Sequence, residues 1–180
     1  MRALKITLSL SKGEGASDAR PVIMTIRNAR LPQDEPAILA FIRQLQDYEA
    51  AFEANRRTDP DFAADHWNQV RRRCAEKHGT LVIAEQDGNA VGWAFAYEEH
   101  GELFIAEPER RHGFLAEIYV APSARGQGHG RALIQACEDW SRGRGHRLMT
   151  IGVLAANLRA TRAYEGSGYA PYTLILRRYL

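Results

Sequence analysis

The chain has 180 residues, a length that fits one domain of ordinary size or two small ones. Hydrophobic residues make up 45% of it and charged residues 26%, values close to the globular average that exclude general disorder. No uninterrupted apolar stretch approaches the roughly 18 residues that a membrane span needs. The two cysteines, Cys74 and Cys137, fit neither a disulfide framework nor a zinc site. We therefore expect a soluble protein of a reducing compartment, the cytoplasm, with no membrane partner and no metal.

The net charge is only +2, but the charged residues are distributed unevenly. Residues 121–180 contain nine Arg and three acidic residues, whereas residues 1–120 contain fifteen Lys or Arg and nineteen acidic residues. A basic C-terminal third suits an anionic ligand and an acidic remainder suits a cationic one, although solvated surfaces would give the same asymmetry. The low net charge argues against nucleic acid as a partner, which would need clustered Lys and Arg with exposed aromatic residues.

The first predicted elements follow a polar N-terminal segment, residues 1–21. This segment contains Gly and Ser and lacks the continuous apolar core of a signal peptide, so it is expected to be a flexible extension, with or without a short edge strand. A β-branched, alternating pattern then predicts a strand at Val22–Asn28. Two helices follow, one starting near Pro36 and the other over residues 60–77.

The second half of the chain alternates strands and helices. Strands predicted at Thr80–Glu85 and Ala90–Tyr97 flank an Asp-Gly dipeptide that is typical of a hairpin turn. After an acidic loop, the remaining predicted elements are a strand at Phe114–Val120, a helix that ends at Gly143, a strand at Leu148–Leu154, a helix at Asn157–Glu165 and a last strand at Thr173–Leu180. This order predicts a single α/β domain over residues 22–180 with a mixed sheet and one βαβ crossover.

The turn between the fourth strand and the following helix carries an unusual run of glycines, Arg125-Gly-Gln-Gly-His-Gly-Arg131. Glycine lets a ligand approach the backbone closely, and the N–H groups of a first helical turn favour an anion. Arg131 stands where the dinucleotide-binding fingerprint needs its third glycine and where the Walker loop needs its second. The run is therefore predicted to bind a pyrophosphate with a different spacing, and a glycine-rich turn without a ligand is the alternative.

Two segments carry a resemblance to a known family. Glu117-Ile-Tyr-Val120 followed by Arg125-Gly-Gln-Gly-His-Gly130 resembles the acyl-CoA-binding motif of the GNAT superfamily of N-acetyltransferases. Asn157-Leu-Arg-Ala-Thr-Arg-Ala-Tyr-Glu-Gly-Ser-Gly-Tyr169 is similar to the family's segment after the fifth strand. The resemblance covers residues 22–180. It implies a mixed, mostly antiparallel sheet of six to seven strands, about four helices and a splay between the fourth and fifth strands.

The resemblance also implies that acetyl-CoA is the co-substrate and that its pantetheine arm lies in the gap between the splayed strands. An amide of the strand end would polarise the thioester carbonyl. The implied ligands of acetyl-CoA are Ile118, Tyr119, Val120, Arg125, Gly126, Gln127, Gly128, His129, Gly130, Arg131, Asn157 and Tyr164. Asn157 also stands where the last helix begins, so an N-cap is its alternative role, and the two roles are compatible.

The resemblance assigns the acid and base of acyl transfer to two residues. Tyr164 is the candidate general acid, because a phenol within hydrogen-bond reach can protonate the departing CoA thiolate. Its alternative role is that of a core tyrosine. Glu117 is the candidate general base, because a primary amine is almost entirely protonated at pH 7 and must lose a proton before it attacks. Its alternative role is that of a surface glutamate paired with an arginine. The six histidines show no metal spacing and receive no role.

The implied reaction is direct transfer of the acetyl group to a primary amine in a ternary complex. The acceptor is either a small, polyamine-like cation or a protein amine, and a non-catalytic acyl-CoA sensor is the alternative function. Acidic residues of the first helix (46–49) and of the loop after the third strand suggest a cationic acceptor, with a solvated acidic loop as the alternative. Those of the loop are Glu98, Glu99, Glu102, Glu107 and Glu109. The apolar end, Tyr172–Leu180, could pair with a second copy to form a homodimer.

Overall fold

The computed structural model describes residues 4–7 and 22–180. Its six strands, which lie in chain order in one sheet, are β1 (Leu4–Thr7), β2 (Ile23–Asn28), β3 (Thr80–Gln86), β4 (Asn89–His100), β5 (Arg111–Val120) and β6 (Met149–Ile151). The four helices are α1 (Glu35–Ala50), α2 (Phe62–Glu76), α3 (His129–Gly143) and α4 (Leu158–Glu165). Neighbouring strands are antiparallel except for β5 and β6, which are parallel. Within these ranges no helix is long and apolar enough to cross a membrane.

The predicted order of elements is confirmed as far as α4, and the sheet is mixed and mostly antiparallel as expected. The Asp-Gly hairpin is confirmed as well, because Asp87 and Gly88 both have positive φ, 50° and 83°, as the tight turn between β3 and β4 requires. The edge strand considered for residues 1–21 is present as β1, and the rest of that segment lies outside the described residues.

Two predictions about strands are wrong. Residues 173–180 form no strand, because their continuous apolar run meets no neighbouring strand that could take up its backbone hydrogen bonds. The strand predicted at Leu148–Leu154 is shorter, because β6 loses its partner on β5 after Ile151. Residues 22–180 therefore contain five strands, and only the addition of β1 brings the sheet to six.

The sheet separates two hydrophobic cores. On one face, α1 and α2 bury apolar side chains against Trp93 and Phe95 of β4. On the other face, α3 buries Leu133, Ile134 and Cys137 against the sheet. Successive residues of a strand point to opposite faces, so each of the central strands contributes to both cores. This alternation decides which residues of β5 face each set of helices.

A buried ion-pair network fixes the start of α1 to the sheet. The Arg27 guanidinium of β2 donates to both carboxylate oxygens of Asp34, at 2.6 and 2.8 Å, and to Glu85 of β3, at 2.7 Å. The backbone N–H of Arg30 also donates to Asp34. The side chains of Arg27 and Asp34 are about nine-tenths buried. Hydrogen bonding from Arg27 lowers the pKa of Asp34, so the ionised form stabilises the fold.

We expect Asp34→Ala to lower the free energy of unfolding by about 3 kcal/mol, because it leaves the Arg27 guanidinium buried with only Glu85 to balance it. Since the pKa of Asp34 is lowered by folding, its contribution is present above the unfolded value of about 3.9 and is lost as the pH falls further. Urea denaturation at pH 7 and at pH 3 tests both points. Asp139→Ala, on the exposed surface of α3, is the control and should change stability by less than about 0.5 kcal/mol. A loss at Asp34 no larger than the control's would contradict the prediction.

Candidate active site

The parallel pairing of β5 and β6 ends abruptly at Leu115 and Ile151. Strand β5 continues to Val120 in pairing with β4, whereas the chain after β6 leaves the sheet and enters α4. A cleft of about 410 Å³ opens between these two segments. Its walls come from α1, β5, the loop of residues 121–128, the first turn of α3, and α4. The predicted splay is thus present.

A β-bulge lies at the start of the splay. Phe95 of β4 is opposite Glu117, but the next residue, Ala96, is opposite Leu115, so Ala116 is an extra residue in β5. A bulge of this kind shifts the alternation of side chains by one position. Leu115 and Ile118 therefore both pack on the α3 side of the sheet. Glu117 instead lies on the side of α1 and α2.

The glycine-rich loop presents a row of unused backbone donors. Gly126 and Gly128 have φ values of +77° and +89°, a backbone conformation that other residues rarely adopt, and Gly128 is the N-cap of α3. In the described part of the chain, no backbone N–H group of residues 126–131 has an acceptor. These N–H groups and the positive end of the α3 dipole together form a site suited to an anion.

Most of the predicted acetyl-CoA ligands line this cleft. Those that do are Ile118, Tyr119, Val120, Arg125, Gly126, His129, Gly130, Arg131, Asn157 and Tyr164, and the predicted base Glu117 lines it too. Gln127 and Gly128 do not line it. The Gln127 side chain donates instead to the carbonyl oxygen of Ser123, at 3.1 Å, within the loop.

Two of the lining side chains are already engaged within the protein. The Tyr119 hydroxyl donates to Gln44 of α1 at 3.0 Å. The Nε–H of Arg125 donates to the carbonyl oxygen of Val120 at 2.9 Å, and its guanidinium lies over the rings of Tyr48 and Tyr119 at 5.4 and 5.5 Å. These contacts of Arg125 stabilise the position of the loop beside β5 and α1. Tyr119 and Arg125 offer a ligand mainly their backbone atoms.

His129 begins α3 and is buried to 1% exposure. Its Nε2 lies 3.1 Å from the side-chain oxygen of Gln86 at the end of β3. Burial lowers the pKa of His129, so the ring is neutral at pH 7. This neutral ring anchors the first turn of α3 to the sheet and adds no charge to the anion site.

Asn157 lies just before α4 and Tyr164 lies near its end, about two helical turns later. The Asn157 side-chain oxygen accepts from the Ala160 N–H at 3.1 Å, so its alternative role as an N-cap is confirmed. The backbone carbonyl of Tyr164 accepts from the N–H groups of Ser167 and Tyr169, which fixes the end of the helix. Burial, and to a lesser extent the charge of Glu49, raises the pKa of Tyr164 to about 12. Its hydroxyl makes no hydrogen bond to the described residues.

The opposite wall of the cleft is acidic. Glu117 lies with its Oε1 2.5 Å from Nε2 of His66 on α2, so the partner of Glu117 is a histidine and not the arginine considered from the sequence. Glu49 of α1 forms an ion pair with Arg56 at 3.0 Å. The pKa of Glu49 is raised by burial and also by the charge of Glu117. Tyr164, Glu117 and Glu49 all line the cleft, and the charge of Glu49 also acts on Tyr164.

Sequence reasoning missed His66 and Arg56. The histidines show no metal spacing in the sequence, and His66 stands 51 residues from Glu117 in the chain. The available signal was helical spacing, because His66 lies one turn before the buried Val70 and one turn after Phe62. Within residues 4–7 and 22–180, no group of three or more His, Cys, Asp or Glu is arranged to hold a metal.

The acidic residues at the end of β4 and in the loop after it do not border the cleft, contrary to expectation. Glu98 is buried against His146, with 3.0 Å between Oε2 and Nε2, and Glu99 accepts from Lys77 at 2.7 Å. None of the five acidic residues of this segment lines the cleft. The reason is topological. The loop joins β4 to β5 at Arg111, whereas the cleft opens at the other end of β5, next to Val120.

A family model described as "Acetyltransferase (GNAT) family" matches residues 42–169. The chain is 31% identical over 131 residues to an aminoglycoside N(6')-acetyltransferase type 1 from Stenotrophomonas maltophilia, covering 71% of this chain and 84% of the relative.

A second enzyme with the same name, from Klebsiella aerogenes, is 33% identical over 98 residues. That match covers 54% of this chain, and the chain spans only 62% of the length of that relative. The solved structure of an aminoglycoside N-acetyltransferase, AAC(6')-Iy in complex with CoA, is similar with a TM-score of 0.64 and 25% identity, covering 89% of this chain and 97% of the other.

Proposed function

Because the chain belongs to the acetyltransferase (GNAT) family, we propose that it transfers the acetyl group of acetyl-CoA to a primary amine of a small, polycationic molecule. The observation that carries this proposal is the polarity of the cleft. Backbone N–H groups at the start of α3 line the cleft with Arg125 and Arg131, and the carboxylates Glu49 and Glu117 line it with Tyr164. The N–H groups and these arginines suit the phosphates of CoA, and the carboxylates suit a cationic acceptor.

In the proposed complex, the pyrophosphate binds the N–H groups of residues 126–131, and the exposed Arg131 adds positive charge beside them. The pantetheine arm lies along β5 beyond Leu115, where the edge of the strand that faces β6 has no partner among the described residues. This free edge supports the proposal, because it offers backbone donors and acceptors to the amide groups of the arm. Asn157 is placed to add its side-chain NH₂ group while its oxygen caps α4.

The chemistry we propose needs one base and one acid. Glu117 takes a proton from the substrate ammonium, and the electron pair of that N–H bond becomes the nucleophile that attacks the thioester carbon. A backbone N–H of the β5 end stabilises the oxygen that becomes negative. When the C–S bond breaks, the thiolate of CoA leaves and takes a proton from the Tyr164 hydroxyl, and the second proton that the nitrogen loses as it becomes an amide restores that hydroxyl. Acetyl amide and CoA are the products.

A polycationic acceptor is supported by the pair Glu49 and Glu117. One carboxylate is needed to accept a proton from the reacting ammonium, and the second can bind another positive group of the same molecule. Two matched relatives carry the name aminoglycoside N(6')-acetyltransferase, and aminoglycosides are polyamines. We place the reaction in the cytoplasm, a proposal supported by Cys74 and Cys137, which form no disulfide.

We expect Gly126→Ala to weaken acetyl-CoA binding about tenfold. An added Cβ at Gly126 meets no atom within 4 Å, so the effect comes from the positive φ, which costs other residues ~1–2 kcal/mol. Gly145→Ala is a matched control, because Gly145 also has a positive φ and open space but lies after α3, away from the cleft. Isothermal titration with acetyl-CoA should show weaker binding in the first variant only. Equal affinities in both variants and the native protein would argue against the proposed pyrophosphate site.

The proposed activity is tested by incubating the protein with acetyl-CoA and a panel of polyamines, aminoglycosides, monoamines and peptides, with free CoA and acetylated product as readouts. We expect polycationic amines to be the best acceptors.

Tyr164→Phe should lower kcat about 100-fold, a typical loss for a general acid, with acetyl-CoA affinity unchanged. Unchanged turnover in this variant would remove Tyr164 from the reaction. Tight binding of acetyl-CoA without product from any amine would instead favour the non-catalytic sensor.

We further propose that the enzyme is a homodimer formed through its C-terminal segment, residues 171–180. This segment has no helix or strand, and its large apolar side chains are all more than half exposed, namely Tyr172, Leu174, Ile175, Leu176, Tyr179 and Leu180. One ion pair, between Arg177 and Glu53 at 2.8 Å, holds it beside the end of α1. An exposed apolar patch of this kind favours pairing with an identical segment of a second copy.

Light scattering at micromolar concentration should therefore give the mass of a dimer, and Ile175→Asp should give a monomer. Ile175 is 89% exposed within one chain, so the variant should unfold at the same temperature at high dilution. Arg178→Ala changes the same segment without adding charge to the apolar run, and it should leave the dimer intact. A monomeric native protein would refute this proposal and leave the proposed activity untouched.

A further inference from the structure

We propose that His66 and Glu117 act as a single base, with His66 as the positioning residue that also receives the proton from Glu117. This inference rests on the proposed function and adds a residue to it. The two side chains come from different elements, α2 and β5, yet Nε2 and Oε1 lie 2.5 Å apart. Glu117 lines the cleft, whereas His66 stands behind it and is not part of the lining.

The packing of α2 fixes the position of the imidazole. His66 shares one ridge of the helix with Phe62 and Val70, which are spaced four residues on either side. The rings of Phe62 and His66 stack with their centres 5.2 Å apart and 16° between their planes. Val70 and Trp67, the residue after His66, are buried to 1% and 2% exposure, so the helix cannot rotate without opening the core. The imidazole is therefore held in place before any ligand binds.

The bulge at Ala116 fixes the other partner. Without the extra residue, the alternation of β5 would direct Glu117 to the α3 side of the sheet, away from α2. With it, Glu117 meets His66 on the side of α1 and α2. Two separate features of the fold, a helix ridge and a strand bulge, thus converge on one contact, which no requirement of the core alone explains.

The charges around the pair favour this role for His66. The titratable and charged groups that face the pair are Glu49 of α1, Arg56 of the following loop, Arg43 and Arg57 over the Phe62 ring, Tyr97 of β4 and Tyr164 of α4. Among them, Arg56 is paired with Glu49, and Arg57 is paired with Asp59 and Asp65. In the described residues, His66 is the only side chain that hydrogen-bonds to Glu117.

The pair is a stronger base than a carboxylate alone. An imidazole nitrogen is a better proton acceptor than a carboxylate oxygen, so a proton that reaches Glu117 can pass on to Nε2 of His66 across the 2.5 Å contact. The proton leaves the substrate nitrogen for Glu117, the electron pair stays on nitrogen, and the pair ends as imidazolium facing carboxylate. The imidazolium then loses one proton to solvent, which a side chain about one-quarter exposed can reach, and the neutral ring is restored.

The pH dependence of kcat at saturating substrates distinguishes this role from simple support. In the native enzyme, kcat should fall with decreasing pH as the pair gains a proton. In His66→Gln the carboxylate acts without the imidazole, so the fall should move to lower pH, and kcat at its optimum should drop about tenfold. His100→Gln, an exposed residue outside the cleft, is the matched control and should leave the profile unchanged.

A double-mutant cycle completes the test. If His66 acts only through Glu117, His66→Gln should cost about tenfold in the native enzyme and nothing further in Glu117→Gln. His66→Phe keeps the stack on Phe62 and should lower kcat by the same factor as His66→Gln. The phenylalanine variant replaces the glutamine variant if the latter fails to fold. An unshifted pH profile, or an equal loss in both backgrounds, would overturn this inference. Loss of the proposed function is a separate outcome, in which the native protein acetylates no amine.

Discussion

The functional geometry of this protein depends on the point where the pairing of β5 with β6 stops. Backbone N–H and C=O groups need partners, and a strand in the interior of a sheet normally finds them on both sides. Beyond Leu115, β5 keeps its partner β4 but loses β6, because the chain after Ile151 leaves the sheet for α4. The unpaired edge and the cleft beside it follow directly. The bulge at Ala116 lies one residue beyond the last pair, so the opening of the sheet and the redirection of Glu117 occur together.

That opening joins two faces of opposite character. The first turn of α3 presents unused N–H groups, a positive dipole end and Arg131, and the buried His129 ties this turn to β3 without adding charge. The acidic wall comes from the other face, through Glu49 on α1 and Glu117 on β5. The proposed anion site and the proposed cation site therefore lie in one cleft, each formed by a different face of the sheet. Both depend on a sheet that separates the two helical layers and then opens between them.

Local patterns in the sequence predicted much of this arrangement. The glycine-rich turn before α3 and the Asp-Gly hairpin each depend on neighbouring residues, and the structure has both turns at the predicted positions. The contact between His66 and Glu117 could not be predicted, because it requires both the rotation of α2 and a one-residue bulge whose register no local signal fixes. The acidic loop was misplaced for a related reason, since only topology decides which end of β5 a loop occupies. The segment 173–180 has strand-like composition but no strand to pair with.

The acid and the base of the proposed reaction are set apart by their surroundings. Burial raises the pKa of Tyr164 to about 12, so its phenol stays protonated through neutral and mildly alkaline pH. Glu117 instead contacts a half-buried histidine, to which it can pass a proton. The proposed acid and the proposed base are therefore groups of different chemistry in different surroundings. A phenol this weakly acidic transfers its proton late, as the C–S bond breaks and the thiolate acquires its charge. In the proposed reaction, release of CoA is thereby linked to the proton that Tyr164 supplies, and attack by the amine is linked to the one that Glu117 removes.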